Sequence, residues 1–386
     1  MIKRTYILVL SCLLSILPLR SFGSGIGTWK NFLAYSNVQW IEKGGNVLYV
    51  LASNDLYAYN EKNNSIQTFD KVNGLNDIDI DFIAWNNVAK RLVIVYANQN
   101  IDLLTQKGEI VSLPDYYRKA MTDNKKVNGL YTEGAYCYVS TGFGVLKINV
   151  GRAEISDTYN LGFNVDYTYI EGNYIYAASS ERGLYRALLS DNLLDRNNWK
   201  RTGNLVAQSK TIAPELMEKV KPLLPGGPKY NRFFFMQYLN NSLYTTGGAF
   251  EPGAIGLNQP GTIQVLKNGE WDIYQDEAKI KPTTGLSYQD IYCIDIDLKD
   301  ENHLFAGARN GLYEFQDGHF KAFYNHSNAP IGFSTNDKSK EYGLVTGLKF
   351  DANASLWLFN SQSQTASLLQ YSDQKWTTHT APALMS

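Results

Sequence analysis

Three carboxylates, Asp77, Asp79 and Asp81, alternate with Ile78 and Ile80. A period of two puts them on one face of a strand or of the approach to it. Oxygen donors in that pattern suit a cation or the hydroxyl groups of a sugar. Asp295 and Asp297 repeat the spacing later in the chain. A plainer reading fits equally well: acidic side chains on a solvated turn and a channel wall. The fixed turn glycines of calcium loops accompany neither set. Both readings stay open.

Other chemistry is sparse. The four histidines, His303, His319, His326 and His379, fall in different repeats or turns. None stands at metal-ligand spacing from another His or Cys. The chain has no Gly-rich phosphate loop and no G-x-S-x-G elbow. No convergent acid–base pair can be picked out, so neither an enzyme nor a cofactor is expected. Cys137 occupies a slot that other repeats fill with Leu, Val or Ile, and Cys293 sits in an apolar strand. Both are read as core residues. A net charge of −1 provides no field that would draw in nucleic acid.

The elements that position these residues recur along the chain. A turn residue, an aliphatic and an aromatic follow one another in Asn46-Val47-Leu48-Tyr49, Asn173-Tyr174-Ile175-Tyr176 and Asn241-Ser242-Leu243-Tyr244. Related copies end at Ile94, Tyr138, Phe305 and Trp357, seven in all. Each is preceded by an inner strand, such as 80–85 or 291–297, and followed by a turn and further strands. Four short strands per ~40–50 residues is the period of a propeller blade. A lone blade has two faces and cannot bury both, whereas blades packed in series cover one another. The 27 Tyr fit this reading, since aromatics favour strands and pair across them. The fold class predicted is all-β: a seven-bladed β-propeller of four-stranded antiparallel blades with a short helical insertion.

Three insertions break the period, at 205–229, 249–260 and 327–342. The first contains Pro214-Glu215-Leu216-Met217-Glu218-Lys219-Val220, with proline placed to start a helix, and Pro225-Gly226-Gly227-Pro228 to stop it. Helix is expected in this insertion only. Its apolar face, Leu216, Met217 and Val220, is expected to be exposed and to dock a protein partner; the competing reading packs it on its own blade.

Both ends carry signals. Lys3 and Arg4, an apolar run over 6–19, and Ser21-Phe22-Gly23 read as a signal peptide over 1–23. Val9-Leu10-Ser11-Cys12 loosely resembles a lipoprotein cleavage box, but the apolar run continues past Cys12. The propeller is assigned to 24–378. Residues 28–33 and 375–379 both look like outer strands. If the first completes the seventh blade, the second is left over to open a further domain.

Two resemblances follow from these segments. Gly285-Leu286-Ser287-Tyr288-Gln289-Asp290, continuing to Asn310-Gly311-Leu312-Tyr313, resembles the propeller repeat of hybrid two-component regulators. Val72-Asn73-Gly74-Leu75-Asn76-Asp77 opens the second unit in the same way. More specific is a series across the chain: Ile26-Gly27-Thr28-Trp29-Lys30, then Lys71 to Leu75, Tyr96 to Leu103, Thr141 to Val145, and Pro225 to Asn231. Together these resemble the PorZ family of type IX secretion system components of the Bacteroidetes. The resemblance implies a non-catalytic protein exported through the periplasm to the cell surface and outer membrane. It implies partners in the attachment complex, including the sortase, and binding and delivery of anionic lipopolysaccharide. It also implies a second propeller, of which 379–386 would be the linker or start. The alternative is a periplasmic glycan-sensing propeller of a hybrid two-component regulator.

Overall fold

The computed structural model describes residues 29–380 apart from 209–210, 252–254, 335–336, 364 and 366. The predicted signal peptide, with Cys12, lies outside the described residues.

Strands form where β-branched, aromatic and aliphatic residues run between turn signals. Val47–Ala52 and Asp55–Asn60 pair through Ser53-Asn54, both with positive φ (52° and 65°), the geometry of a two-residue hairpin turn. Asn240-Asn241 and Asp373-Gln374 make the same turn in later repeats. Among the described residues these hairpins build seven four-stranded antiparallel sheets, spanning 38–69, 80–112, 127–160, 167–203, 235–274, 291–324 and 345–379. They are blades 1 to 7, and they establish the seven-bladed class expected from the repeat. Within each, the four strands lie side by side in chain order; in blade 5 a small ribbon, Phe250–Glu251 with Ile255–Gly256, intervenes in the chain.

Each blade has a leading face toward its predecessor and a trailing face toward its successor. Blade 1 trails onto blade 2 through Tyr49, Leu51, Leu56, Ile83, Trp85 and Leu92. Trp85 stacks on Tyr49 at 5.3 Å. The fit is close enough that a Cβ at Gly44 would lie 2.8 Å from the Trp85 ring. Similar apolar layers join blades 2 and 3, 3 and 4, 5 and 6, and 6 and 7.

Among the described residues no such layer joins blade 4 to blade 5, or blade 7 to blade 1. The leading face of blade 1 is covered instead by the first insertion. Ile41, Leu48, Val50, Ala52 and Tyr57 receive Val220, which is buried, with Ile212, Leu216 and Leu223 packed alongside. Lys219 adds an ion pair to Glu61. The insertion then turns at Gly226 and Gly227, both at positive φ, and a Cβ on Gly227 would strike the Leu33 carbonyl. Asn231 accepts from the Ala34 amide at 2.6 Å and donates to Asp55 at 3.0 Å. Phe32 meets Trp271 of blade 5 edge-on at 5.6 Å. The blades therefore pack in two runs, 1–4 and 5–7, linked through segments 32–36 and 227–234.

Four expectations need correction. Helix is not confined to the first insertion. Besides α2 (Pro214–Val220) there are α1 (Asp115–Arg118) and α3 (Glu277–Thr284). The α3 pattern is obscured in sequence by Pro282 inside the helix, while Gly285 ends it at φ 72°. Residues 29–33 form no strand, and Thr28 lies outside the described residues. Lys375–His379 is not left over: it pairs with Leu368–Ser372 as the fourth strand of blade 7. Finally, the α2 apolar face is only partly open: Val220 and Leu216 pack on blade 1, while Met217 stays half-exposed outside that layer.

Val220 is 2% exposed within that seal. Replacing it with Asp puts an unpaired charge into an apolar layer, so Val220→Asp should lower stability by at least ~3 kcal/mol. Urea unfolding is the measurement, with amide exchange rising first in blade 1.

Candidate functional site

The inner strands of blades 1 to 4 surround a bowl of about 570 Å³. Gln39, Trp40 and Glu42 come from blade 1, Asp81 and Phe82 from blade 2, Asn128 from blade 3, and Asp166 and Tyr167 from blade 4. Leu205, Ala207 and Gln208 of the first insertion complete its wall. The Tyr167 hydroxyl anchors that wall by donating to the Val206 carbonyl at 2.6 Å.

Most polar groups around the bowl are already engaged. Glu42 accepts from the Trp40 indole at 2.8 Å and from the Trp85 amide at 3.2 Å. Asn128 donates to Asn164 and to the Val165 carbonyl. Asp166 accepts from Asn164 and from the Ser180 amide. Asp81 is the exception: it is exposed and makes no hydrogen bond among the described residues. Partial burial, then the charge of Asp79, holds its carboxyl above the usual range, while Lys126 pulls it down. The bowl is lined largely by apolar and aromatic side chains and its charges are acidic, a setting for a cationic group or the apolar face of a sugar rather than a bulky anion.

The structure separates the three aspartates that period two had placed on one face. Asp77 turns to Asn98 and, at 4.0 Å, to Lys71. Asp79 has φ 56°, which breaks the alternation, and its carbonyl accepts from Ala97 at 2.8 Å. The same backbone recurs in blade 6, where Asp290 has φ 50° and its carbonyl accepts from Arg309. Each aspartate precedes the first isoleucine of an inner strand, Ile80 or Ile291. Aspartate tolerates the left-handed region better than most residues, so this position serves the repeat's turn. Only Asp81 reaches the bowl. No cluster of three or more His, Cys, Asp or Glu fit to hold a metal occurs among the described residues.

The second pair divides similarly. Asp295 is buried, taking a hydrogen bond from Gln237 at 2.7 Å and one from the Phe350 amide at 2.6 Å. Asp297 lies 3.1 Å from His303, whose other ring nitrogen is 2.8 Å from Glu314. Lys321 and the Tyr324 hydroxyl complete the shell of Glu314, each at 2.7 Å. Burial alone would raise the Glu314 carboxyl, but His303, Lys321 and Tyr324 together bring it down to about 2. The Glu314 hydrogen bond holds His303 above the ordinary imidazole range. Both Glu314 oxygens are occupied, so the constellation fixes blade 6 rather than offering a base. Cys137 and Cys293 are buried, as read from their repeat positions.

Sequence reasoning missed Asp55. It begins the third strand of blade 1 and meets Asn231 at the link between the two runs. Burial pushes its carboxyl up to about 6; the Asn231 hydrogen bond opposes this, and Asp79 and Asp70 add to it. The sign follows from linkage. The folded chain binds this proton more tightly than the unfolded chain does, so the stabilisation is complete below the ordinary value of 3.8 and lost as pH rises through about 6. Asp55→Asn keeps an acceptor for Asn231 and removes the charge. It should raise the thermal midpoint at pH 7.5 and flatten the pH dependence between 3.8 and about 6, as read by calorimetry across that range.

The comparisons with known proteins fit this geometry. Residues 48–200 match the family described as the N-terminal beta-propeller domain of PorZ of the type IX secretion system. That match stays within the run of blades 1 to 4. Among solved structures, the chain is similar to PorZ of Porphyromonas gingivalis, described as an essential bacterial surface component of that secretion system. The TM-score is 0.77 at 19% identity, covering 92% of this chain and 60% of that one. Extracellular domains of a one-component and a hybrid two-component system of B. thetaiotaomicron align at TM-scores of 0.36 and 0.34. Their identities are 12% and 14%; they cover 91% and 89% of this chain, and the alignments span 56% and 41% of theirs. No curated protein matches. No helix among the described residues is long and apolar enough to cross a membrane. The resemblance to PorZ is thus shown in sequence over residues 48–200 and in fold over 92% of the chain.

Proposed function

We propose that this protein is a non-catalytic cell-surface component of the type IX secretion attachment complex. In this reading it helps to bind anionic lipopolysaccharide, to deliver it to the sortase, and to assemble the complex. The observation that carries the reading is the family match over residues 48–200. No comparable support attaches to the regulator-sensor alternative.

The distribution of charge narrows where a glycolipid would bind. Glu42, Asp81 and Asp166 make the bowl repel an anionic headgroup. The connection between blades 2 and 3 offers a better surface. There Arg118 and Lys119 are exposed and follow the exposed Tyr117 in the chain. Lys125 braces the loop from within, donating to the carbonyls of Tyr117 and Lys119. Cations next to an exposed aromatic ring suit a phosphorylated or uronic sugar.

Purified protein should retain anionic lipopolysaccharide in a flotation or surface-capture assay, and salt should weaken the binding. The double variant Arg118→Glu, Lys119→Glu should bind several-fold more weakly, while a neutral polysaccharide remains unbound. Binding indifferent to both salt and charge reversal would remove the lipopolysaccharide part of the reading. Failure to recover the sortase with the intact protein from membranes would remove the complex part.

A further inference from the structure

The inner strands of blades 1 to 4 share an irregularity near their start. Register shifts leave Gln39, Asp81 and Asn128 as extra residues at the equivalent position of blades 1, 2 and 3. In blade 4 Asp166 takes that place, its amide donating at 2.7 Å to the carbonyl of Ala178, which also pairs with Tyr167. A bulge re-aims the side chain that it inserts. All four residues line the bowl, and so do their successors Trp40, Phe82, Gly129 and Tyr167. The repeat thus sets a row of polar groups beside a row of aromatic residues around one space.

What this row leaves open is weighted to acceptors. Asp81 makes no hydrogen bond among the described residues. Nothing among them donates to Asn128 Oδ1, while the amide nitrogen of Asn128 serves Asn164 and Val165. Of the donors, the Trp40 indole is spent on Glu42 and the Tyr167 hydroxyl on Val206. Glu42, Asp81 and Asp166 meet no Lys, Arg or His among the described residues of the lining. Leu51, Ile83, Leu130 and Leu205 supply apolar wall.

We propose that the bowl receives a Lys or Arg side chain of a partner polypeptide, its cationic head on Asp81 and Asn128 and its alkyl stem along the apolar wall. Both side chains only donate hydrogen bonds, which is what the open acceptors require. Their stems bury readily on apolar surface, and aromatic rings attract the head. A sugar hydroxyl both donates and accepts, and the bowl answers mainly one half of that. A bare divalent ion needs six or more oxygens, and no metal-holding cluster occurs among the described residues. At about 570 Å³ the bowl has room for the residues on either side of the basic one, which favours a peptide over a small amine. The proposal stands on the bowl and does not depend on the lipopolysaccharide reading, which concerns the basic loop between blades 2 and 3.

Saturation-transfer NMR on the 386-residue chain tests this with the peptides acetyl-Gly-Ser-Xaa-Ser-Gly-amide, where Xaa is Arg, Lys, citrulline or norleucine. The Arg and Lys peptides should give signals several-fold stronger than the other two. Asp81→Asn should cut those signals several-fold, and Asp81→Glu should keep them. Glu154→Gln, on the outer strand of blade 3 and outside the bowl, should change nothing. Equal signals from all the peptides overturn the proposal, as does an Arg signal that survives Asp81→Asn. Binding of maltohexaose that Asp81→Asn abolishes assigns the bowl to a glycan, and spermidine binding as strongly as the Arg peptide assigns it to a small amine; either result also overturns it. Capture of anionic lipopolysaccharide should be the same with and without Asp81→Asn, so the two readings fail separately. A loss of capture in that variant would place the glycolipid in the bowl and overturn the proposal.

Discussion

Burial of the leading face of blade 1 by Val220 and its neighbours governs how the other blades are placed. A blade has two apolar faces, and each must meet another surface to leave water. In an ordinary ring the last blade supplies that surface to the first. Here the insertion after blade 4 arrives earlier in the chain and takes the position. Once α2 occupies it, no apolar layer among the described residues joins blade 7 to blade 1, and blade 5 starts from the far side of the insertion. The separation into runs of four and three follows from that one substitution of helix for sheet.

The same contact shapes the bowl. Blades 1 to 4 present their inner strands to a common space, and the opening residues of the insertion wall it off through the hydrogen bond from Tyr167 to Val206. The chain that seals the outside of blade 1 therefore also borders the inside of the run. Acidic side chains collect where four inner strands converge, and each carboxylate except Asp81 is held by amide or indole donors. Charge at that position acts on what approaches; it does not make the site reactive. On the rim, the basic loop between blades 2 and 3 has the opposite sign.

Much of this architecture could be read from the sequence because a blade is a local object. Strand period, hairpin turns and the aliphatic–aromatic signature all lie within ~40–50 residues, and they identified seven units with their strands in order. The fates of Cys137 and Cys293 followed from their slots. What the sequence did not disclose was non-local or depended on the backbone. Period two assumes extended residues, and the left-handed backbone at Asp79 breaks that assumption, so three carboxylates expected on one face point three ways. The apolar face of α2 was legible as apolar, but its partner lies more than a hundred residues upstream. Asp55 has no sequence signal at all: burial, with Asp79 and Asp70, raises its carboxyl, and Asn231, which the fold brings to it across the link, opposes the rise.

Repeat proteins make interfaces by copying, and that offers a way to judge surfaces that are open in a single chain. A residue set found on one blade is ambiguous, since tyrosines and a cation can serve a sugar, a protein or a neighbouring sheet. The same set found twice, covered in blade 3 and repeated as Tyr169, Tyr174, Tyr176 and Arg186 in blade 4, is less so. Blade 3 shows what Tyr131, Tyr136, Tyr138 and Lys147 are for: they make a flat, half-polar floor on which small aliphatic residues of the next blade rest. Cross-strand stacking stiffens the rings and the cation keeps the floor tolerant of water. Such a floor can persist uncovered without collapsing or aggregating, whereas an Ile-Leu face could not. A polar-aromatic floor therefore serves inside a run as well as on its outer face.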